Sequence, residues 1–224
     1  LLCYAYDTTP TIVPPDAVVL PTCAEQVAKV MRLAWEAEVP VVPRGAGTNI
    51  SGGSVPLKGG VVVCTTRFNR VREINRENLS AVVEPGVVTA QLQAQVEKLG
   101  LFYPPDPASL SVSTIGGNVA ESAGGPRGFK YGTTKDYVLG LEVVLSSGEV
   151  LHTGGRTVKN VSGYNLTQLF VGSEGTLGFV TEAILRLVPL PEHKQTLLAA
   201  FGQLGQAAEA VSAIVAARII PASV

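Results

Sequence analysis

No apolar stretch in the 224-residue sequence approaches the roughly 18 residues needed to cross a bilayer, so no segment reads as transmembrane. The longest apolar runs are short and interrupted, as at Val39-Pro40-Val41-Val42-Pro43 and Gly60-Val61-Val62-Val63-Cys64, the pattern of buried strands. A basic tract is also missing. The 17 Lys and Arg stand against 18 Asp and Glu, a net charge of −1, which argues against nucleic acid as a partner. Cysteine is scarce: Cys3, Cys23 and Cys64 are widely spaced and form no C-x-x-C. That excludes a disulfide framework and a zinc or iron–sulfur site, and suits a reducing, cytoplasmic setting. His152 and His193 show no metal-binding spacing and read as solvated or packed rather than catalytic. The only methionine is Met31, no charged leader precedes Leu1, and the chain stops abruptly at Val224, so both ends read as cuts.

What remains can build a core: 46% of the residues are hydrophobic, and the 24 glycines fall in clusters, which excludes collagen-like and linker readings. Val18 to Leu20 reads as a strand. Thr22-Cys23-Ala24-Glu25 fits a capping box, and Val27, Val30, Met31 and Ala34 follow at helical spacing to about Glu38. Strands over 39–42 and 61–64 complete a small β-α-β lobe. Ala81 to Glu84 reads as a strand ended by Pro85-Gly86. Thr89 is then expected to cap a helix carrying Leu92, Val96 and Leu99, stopped by Gly100. Residues 141–145 and 150–152 flank Ser146-Ser147-Gly148-Glu149 as a hairpin, and 179–188 alternate as another strand. Gln206 to Arg218 reads as an amphipathic helix. The fold class is therefore α+β, with the β-α-β lobe beside a larger antiparallel sheet that carries helices on one side.

Three glycine-rich loops carry the functional signal. The first, residues 43–53 (Pro-Arg-Gly-Ala-Gly-Thr-Asn-Ile-Ser-Gly-Gly), directly follows a buried strand. Unblocked consecutive N–H groups form a nest for phosphate oxygens, and glycine supplies the close approach. The loop is not a Rossmann G-x-G-x-x-G, because position 50 is Ile50, and no G-K-[ST] triplet occurs for a P-loop. A plain strand-to-loop turn is the competing reading, and it does not need this many glycines. In the second, residues 113–125, Thr114 is placed to cap a helix opening Ile-Gly-Gly-Asn. Glycine costs about 1 kcal/mol in a helix, so two here indicate a flat ligand against the backbone, or else close helix–sheet packing. A helix N-terminus also attracts negative charge. The third, residues 172–181, leads straight into a strand and is weak evidence alone. Together the three imply a long ligand crossing several elements, better suited to a dinucleotide with a flat ring than to a mononucleotide.

Four motifs in order, at 43–53, 103–107 (Tyr-Pro-Pro-Asp-Pro), 114–121 (Thr-Ile-Gly-Gly-Asn-Val-Ala-Glu) and 172–178 (Gly-Ser-Glu-Gly-Thr-Leu-Gly), resemble the FAD-binding domain of the vanillyl-alcohol oxidase/p-cresol methylhydroxylase (PCMH) class. The stretches 130–142 and 154–167 narrow the resemblance to the group that holds the glycolate oxidase D subunit and the D-lactate dehydrogenases. It covers nearly the whole chain. It implies a PCMH-type FAD-binding domain over 1–190, with lobes over about 1–75 and 76–190, and the start of a truncated C-terminal substrate (cap) domain over 191–224. In this likeness Pro43, Arg44, Gly45, Ala46, Gly47, Thr48, Asn49, Gly52 and Gly53 hold the FAD pyrophosphate. Pro105, Asp106, Thr114, Ile115, Gly116, Gly117, Asn118, Ala120, Ala123 and Gly124 line the flavin and ribityl chain, with Gly86 and Gly132 in the same cofactor set. Glu174, Gly175, Gly178, Val180 and Thr181 complete the site. Some relatives attach flavin to a histidine in or near the first loop; Thr48 and Asn49 stand here, so the FAD is expected to be non-covalent. Arg127 and Asn165 replace the His and Asp common in the group, which leaves the exact substrate open.

The implied activity is FAD-linked oxidation of the CH–OH of a small 2-hydroxy acid, of the glycolate or D-lactate type, with hydride transfer to flavin N5. Electrons would pass to a quinone, an electron-transfer flavoprotein or an iron–sulfur partner subunit. The location would be cytoplasmic or peripheral at the inner membrane face. The base and the carboxylate-binding groups are not found in this sequence and are expected in the C-terminal domain, so the fragment alone would be inactive. Arg44, Arg127, Lys130, Tyr131 and Lys159 are polar candidates near the flavin, each with an ordinary structural role as the alternative. Two other readings stand: a non-catalytic FAD-binding or assembly subunit, and a reductase of the same fold acting on a nucleotide sugar.

Overall fold

A computed structural model describes residues 1–223. The first lobe is built from β1 (Ala17–Val19), α1 (Ala24–Glu36), β2 (Val41–Arg44) and β3 (Val61–Cys64). The three strands are parallel in the order β1-β3-β2, so the β1–α1–β2 crossover leaves a gap that β3 fills. Val62 and Val63 are fully buried there, as a parallel strand covered on both faces requires. The helix does not begin at the expected capping box. Its N-cap is Cys23, and the reach-back comes one residue later, with Gln26 Oε1 accepting from the Thr22 backbone N–H at 2.8 Å.

The second lobe follows in chain order with β4 (Val71–Asn75), β5 (Ser80–Val83), α2 (Thr89–Glu97), β6 (Leu101–Phe102), α3 (Ile115–Glu121), α4 (Gly128–Tyr131), β7 (Val138–Val144), β8 (Val150–Gly154), α5 (Leu166–Phe170), β9 (Phe179–Arg186) and β10 (Val188–Pro189). Five strands form an antiparallel sheet in the order β4-β5-β9-β7-β8, and β6 pairs with β10 beside it. Strict alternation along β9 buries Phe179, Thr181, Ala183 and Leu185 and turns their neighbours outward, as a sheet with one covered face requires. Leu92, Val96, Ile115 and Val119 from α2 and α3 close that face, none of them reached by solvent. Each such side chain contributes about 1.5–3 kcal/mol relative to exposure. The strand at 71–75 has no counterpart in the sequence-based expectation, and it pairs with β5, so a lobe boundary at about 75 would cut this sheet. Thr89 is likewise not the N-cap of α2: Val88 is, and the buried Thr89 hydroxyl instead bonds Ser113.

The lobes are welded where Val27 and Ala28 of α1 meet Val144 and Phe179 at the ends of β7 and β9. After β10 the chain runs exposed to α6 (Leu204–Ala216), which buries none of its side chains. No described helix is long and apolar enough to cross a membrane.

Candidate functional site

The seam between the lobes opens into a cleft of about 450 Å³ whose walls are the three glycine-rich loops. The first loop contributes Pro43, Arg44, Gly45, Ala46, Gly47, Thr48, Asn49 and Gly53. The second contributes Thr114, Gly116, Gly117, Asn118, Ala120, Ala123 and Gly124, and the third Glu174, Gly175, Gly178 and Val180. Of the expected cofactor set, Gly52, Gly86, Pro105, Asp106, Ile115, Gly132 and Thr181 do not line it. Gly86 is pressed against the Thr65 carbonyl, Gly132 against the Asp136 carboxylate, and Ile115 lies wholly in the core. Pro105 accepts from Gln93 Nε2 at 2.8 Å, Thr181 Oγ1 donates to Glu142 Oε1 at 2.7 Å, and Gly52 forms an open turn. Asp106 is buried and pairs with Arg127 Nε at 3.3 Å.

Glycine serves two purposes here. A Cβ on Gly45 would strike the Thr114 hydroxyl and one on Gly175 the Pro43 ring, so these two positions let the loops interlock, while one on Gly47 would strike the Arg44 guanidinium within its own loop. Gly47 and Gly175 also sit at φ +71° and +78°, where a side chain would be strained. Gly117 differs: a Cβ there would meet only Thr114 Oγ1, at 3.2 Å.

Thr114 caps α3 as expected, its Oγ1 accepting from Gly117 N at 3.3 Å. The expectation that this helix start attracts an anion is corrected by its neighbours. Ile115 N donates to the Val87 carbonyl at 2.8 Å and Gly116 N to the Pro85 carbonyl at 2.7 Å, so the first-turn donors are already satisfied. The first loop is the opposite case. Among the described residues no acceptor pairs with the backbone N–H groups of 46–50. Beneath them lies Arg44, only 6% exposed, whose Nη1 donates to Tyr6 O at 2.7 Å and to Ser54 O at 3.4 Å. No carboxylate among the described residues pairs with it. A buried guanidinium without a counter-ion under unpaired N–H groups is a receptor for an anion.

Two carboxylates stand at the rim. Ser51 Oγ donates to Glu121 Oε1 at 2.9 Å, and Glu174 lies nearby across Gly53. Desolvation raises the Glu121 pKa above the usual carboxylate value, the Ser51 bond opposes that rise, and the charges of Glu174 and Asp7 add to it.

Among the polar candidates only Arg44 reaches the cleft. Arg127 sits 5.0 Å over the Phe102 ring, Lys130 5.5 Å over the Tyr131 ring, and Lys159 is exposed. His152 is exposed on β8 and pairs with Glu142 at 3.1 Å, and His193 is exposed beyond β10. Cleft residues that the sequence reading missed include Ile50, Ser54, Thr65, Pro85, Pro107, Ser109, Ser113, Ser122, Phe170, Ser173 and Phe179. Ile50, Pro107, Ser113, Ser122, Ser173 and Phe179 lie inside stretches already singled out, though they were not named as site residues. Thr65 and Pro85 adjoin none of the three loops, and only the lobe packing brings them in.

A family model described as FAD binding domain matches residues 15–154. The chain is 54% identical over 223 residues to glycolate oxidase subunit GlcD of Bacillus subtilis strain 168, covering 99% of this chain and 47% of that protein. It is 42% identical over 190 residues to the D-lactate dehydrogenase of Anaerostipes hadrus, covering 85% of this chain and 40% of that one. Among solved structures it resembles alkyldihydroxyacetonephosphate synthase, with a TM-score of 0.79 and 29% identity, over 92% of this chain and 38% of that chain. The chain thus spans about half the length of the curated relatives it matches or less.

Proposed function

The chain belongs to the FAD binding domain family, and from that membership we propose that the inter-lobe cleft holds FAD non-covalently for a full-length protein that oxidises a small 2-hydroxy acid to the 2-oxo acid. The cofactor is FAD. The observation that carries the placement is the unpaired anion receptor: Arg44 and the free N–H groups of 46–50 would hold the pyrophosphate. Gly117, Asn118 and Ala120 to Gly124 would lie along the ribityl chain and ring, and Glu174 to Val180 would close the other end. The lack of a side chain at Gly116, Gly117 and Gly124 and the small side chains of Ala120 and Ala123 fit a flat ligand, with Glu121 the one charged residue on that wall.

Bound FAD supplies a two-electron acceptor for hydride from the substrate carbon. This chain's own residues bind and orient it, and the seam between the lobes shields it from water. Among the described residues the cleft carries no histidine, and its only cation is Arg44. The group that binds the substrate carboxylate is therefore assigned to a C-terminal domain, of which α6 would be the first helix, while Glu121 and Glu174 are the carboxylates that line the cleft. Glycolate, D-lactate and D-2-hydroxyglutarate are the substrate candidates, from the names of its relatives. The electron acceptor would be a quinone, an electron-transfer flavoprotein or an iron–sulfur partner.

The lack of a second cation for a substrate carboxylate favours a second reading, an FAD-binding subunit without turnover of its own. Purified full-length protein should be yellow, release FAD on denaturation and bleach anaerobically with one of the three acids. Colourless protein that cannot take up added FAD overturns the cofactor placement. Yellow protein that none of the acids reduces favours the second reading.

A further inference from the structure

We propose that the N-terminal segment Tyr4 to Thr9 is a positioning strap for the glycine loop after β2, with the Asp7 carboxylate acting through Asn49 to fix the loop in the shape that receives FAD. The proposal rests on the reading of the cleft as the FAD site. The segment lies outside residues 15–154, the part matched by the family model.

The contacts grip the loop at its start and its middle. At the start, Arg44 Nη1 donates to Tyr6 O at 2.7 Å, and its guanidinium lies 5.9 Å from the Tyr4 ring centroid. In the middle, Thr8 Oγ1 donates to Asn49 O at 2.5 Å, and Asn49 Nδ2 donates to Asp7 Oδ2 at 2.7 Å. The other carboxylate oxygen, Oδ1, accepts from Thr9 N at 2.8 Å and Thr9 Oγ1 at 2.6 Å, which locks the strap on itself. Asn49 Oδ1 in turn accepts from Ser54 Oγ at 2.7 Å.

An ionised carboxylate only accepts hydrogen bonds, whereas an amide has one accepting and one donating end. Asp7 on one side and the Ser54 hydroxyl on the other therefore leave Asn49 a single satisfied orientation. Asn49 lines the cleft and Asp7 does not, so any effect of Asp7 on a ligand passes through the loop. Charge alone would work against the site. A carboxylate 6% exposed beneath a loop that accepts an anion repels that anion. A purely electrostatic Asp7 would thus weaken FAD binding, and a positioning Asp7 would strengthen it, so removing the side chain gives opposite signs in the two cases.

The test titrates FAD into the apo full chain as wild type, Asp7→Ala, Asn49→Ala and the double variant, following flavin fluorescence, with thermal unfolding of each apo form alongside. Asp7→Ala should weaken FAD binding about tenfold, equivalent to about 1.4 kcal/mol, in the wild-type background and less than twofold in the Asn49→Ala background. Binding by Asp7→Ala as tight as wild type or tighter overturns the proposal. So does the same loss in both backgrounds, which would mark a general structural effect. If Asp7→Ala does not fold, isosteric Asp7→Asn is read by the same two criteria. A wild type that binds no FAD would instead overturn the reading of the cleft.

Discussion

Gly116 and Gly117 are adjacent in α3, chemically identical, and should respond to the same substitution in different ways. A Cβ at Gly116 would sit 2.6 Å from Pro85 Cβ, 3.0 Å from the Pro85 carbonyl oxygen and 3.2 Å from Pro85 Cα. None of these atoms is the free end of a flexible side chain, and Gly116 N already donates to that carbonyl at 2.7 Å. Overpacking of this kind costs about 1–3 kcal/mol, and the helix preference of alanine over glycine returns at most about 1 kcal/mol. Gly116→Ala should therefore lose about 1–2 kcal/mol, which for a chain of this size lowers Tm by about 2–8 °C. At Gly117 the new methyl meets one atom, Thr114 Oγ1 at 3.2 Å, and the same helix preference offsets that contact. Its apo Tm should stay within about 2 °C of wild type. Its methyl would occupy the cleft, and FAD affinity should fall tenfold or more, about 1.4 kcal/mol or beyond. Differential scanning fluorimetry of the apo proteins and fluorescence titration with FAD measure the two quantities separately. Gly117→Ala that binds FAD like wild type, or Gly116→Ala with unchanged Tm, would refute the division between a glycine packed on Pro85 and one with room for a methyl.

Two further outcomes follow from buried carboxylates. Glu84 is 1% exposed and accepts from Arg70 N at 2.7 Å, Arg70 Nε at 3.0 Å and Arg72 Nε at 3.2 Å. Glu84→Ala orphans the Arg70 amide and should cost about 1–3 kcal/mol, whereas Arg70→Ala removes a side chain 72% exposed and should cost less than about 1 kcal/mol; equal losses in urea unfolding would sink this asymmetry. Burial alone would raise the Asp7 pKa, but the hydrogen bonds from Thr9 and Asn49 outweigh it and hold the group below its ordinary value. A depressed folded pKa contributes stability above the unfolded value of about 3.9 and loses it as pH falls through the folded one. The Tm gap between wild type and Asp7→Asn should therefore be full at pH 7 and shrink below about pH 4; a gap constant down to pH 3 contradicts the assignment.

The parts of the molecule that could be read in the sequence are those whose signal is local. The Thr114 cap spans three residues and is where the spacing places it. The hairpin turn between β7 and β8 lies where Ser146-Ser147-Gly148-Glu149 put it, and the central strand of the first lobe matches residue for residue. Errors begin where two local signals compete. Thr22 and Cys23 both precede a helical pattern, and the N-cap fell to the residue whose backbone is extended at φ −157°, with Gln26 rather than Glu25 reaching back. β4 escapes a pattern reading because Val71 and Ile74 do not alternate cleanly: a register shift between Val71 and Glu73 breaks the period of two.

The cleft itself shows why composition finds a site before it can explain one. Glycine at 45, 47, 116, 117 and 175 looks the same along the chain, yet 45, 116 and 175 are pressed by another segment, 47 by Arg44 of its own loop, and 117 meets a single hydroxyl oxygen. That difference is set by Thr114, Arg44, Pro85 and Pro43, partners that in most cases lie tens of residues away and leave no trace in local spacing. The same holds more strongly for Asp7 and Asn49, which are 42 positions apart and carry no motif at the N-terminal end. A motif search weighs the loop and ignores the strap, because recognising an anion needs only the loop's N–H groups. Holding those groups in one conformation needs acceptors from elsewhere, and in this fold the elsewhere is the first nine residues.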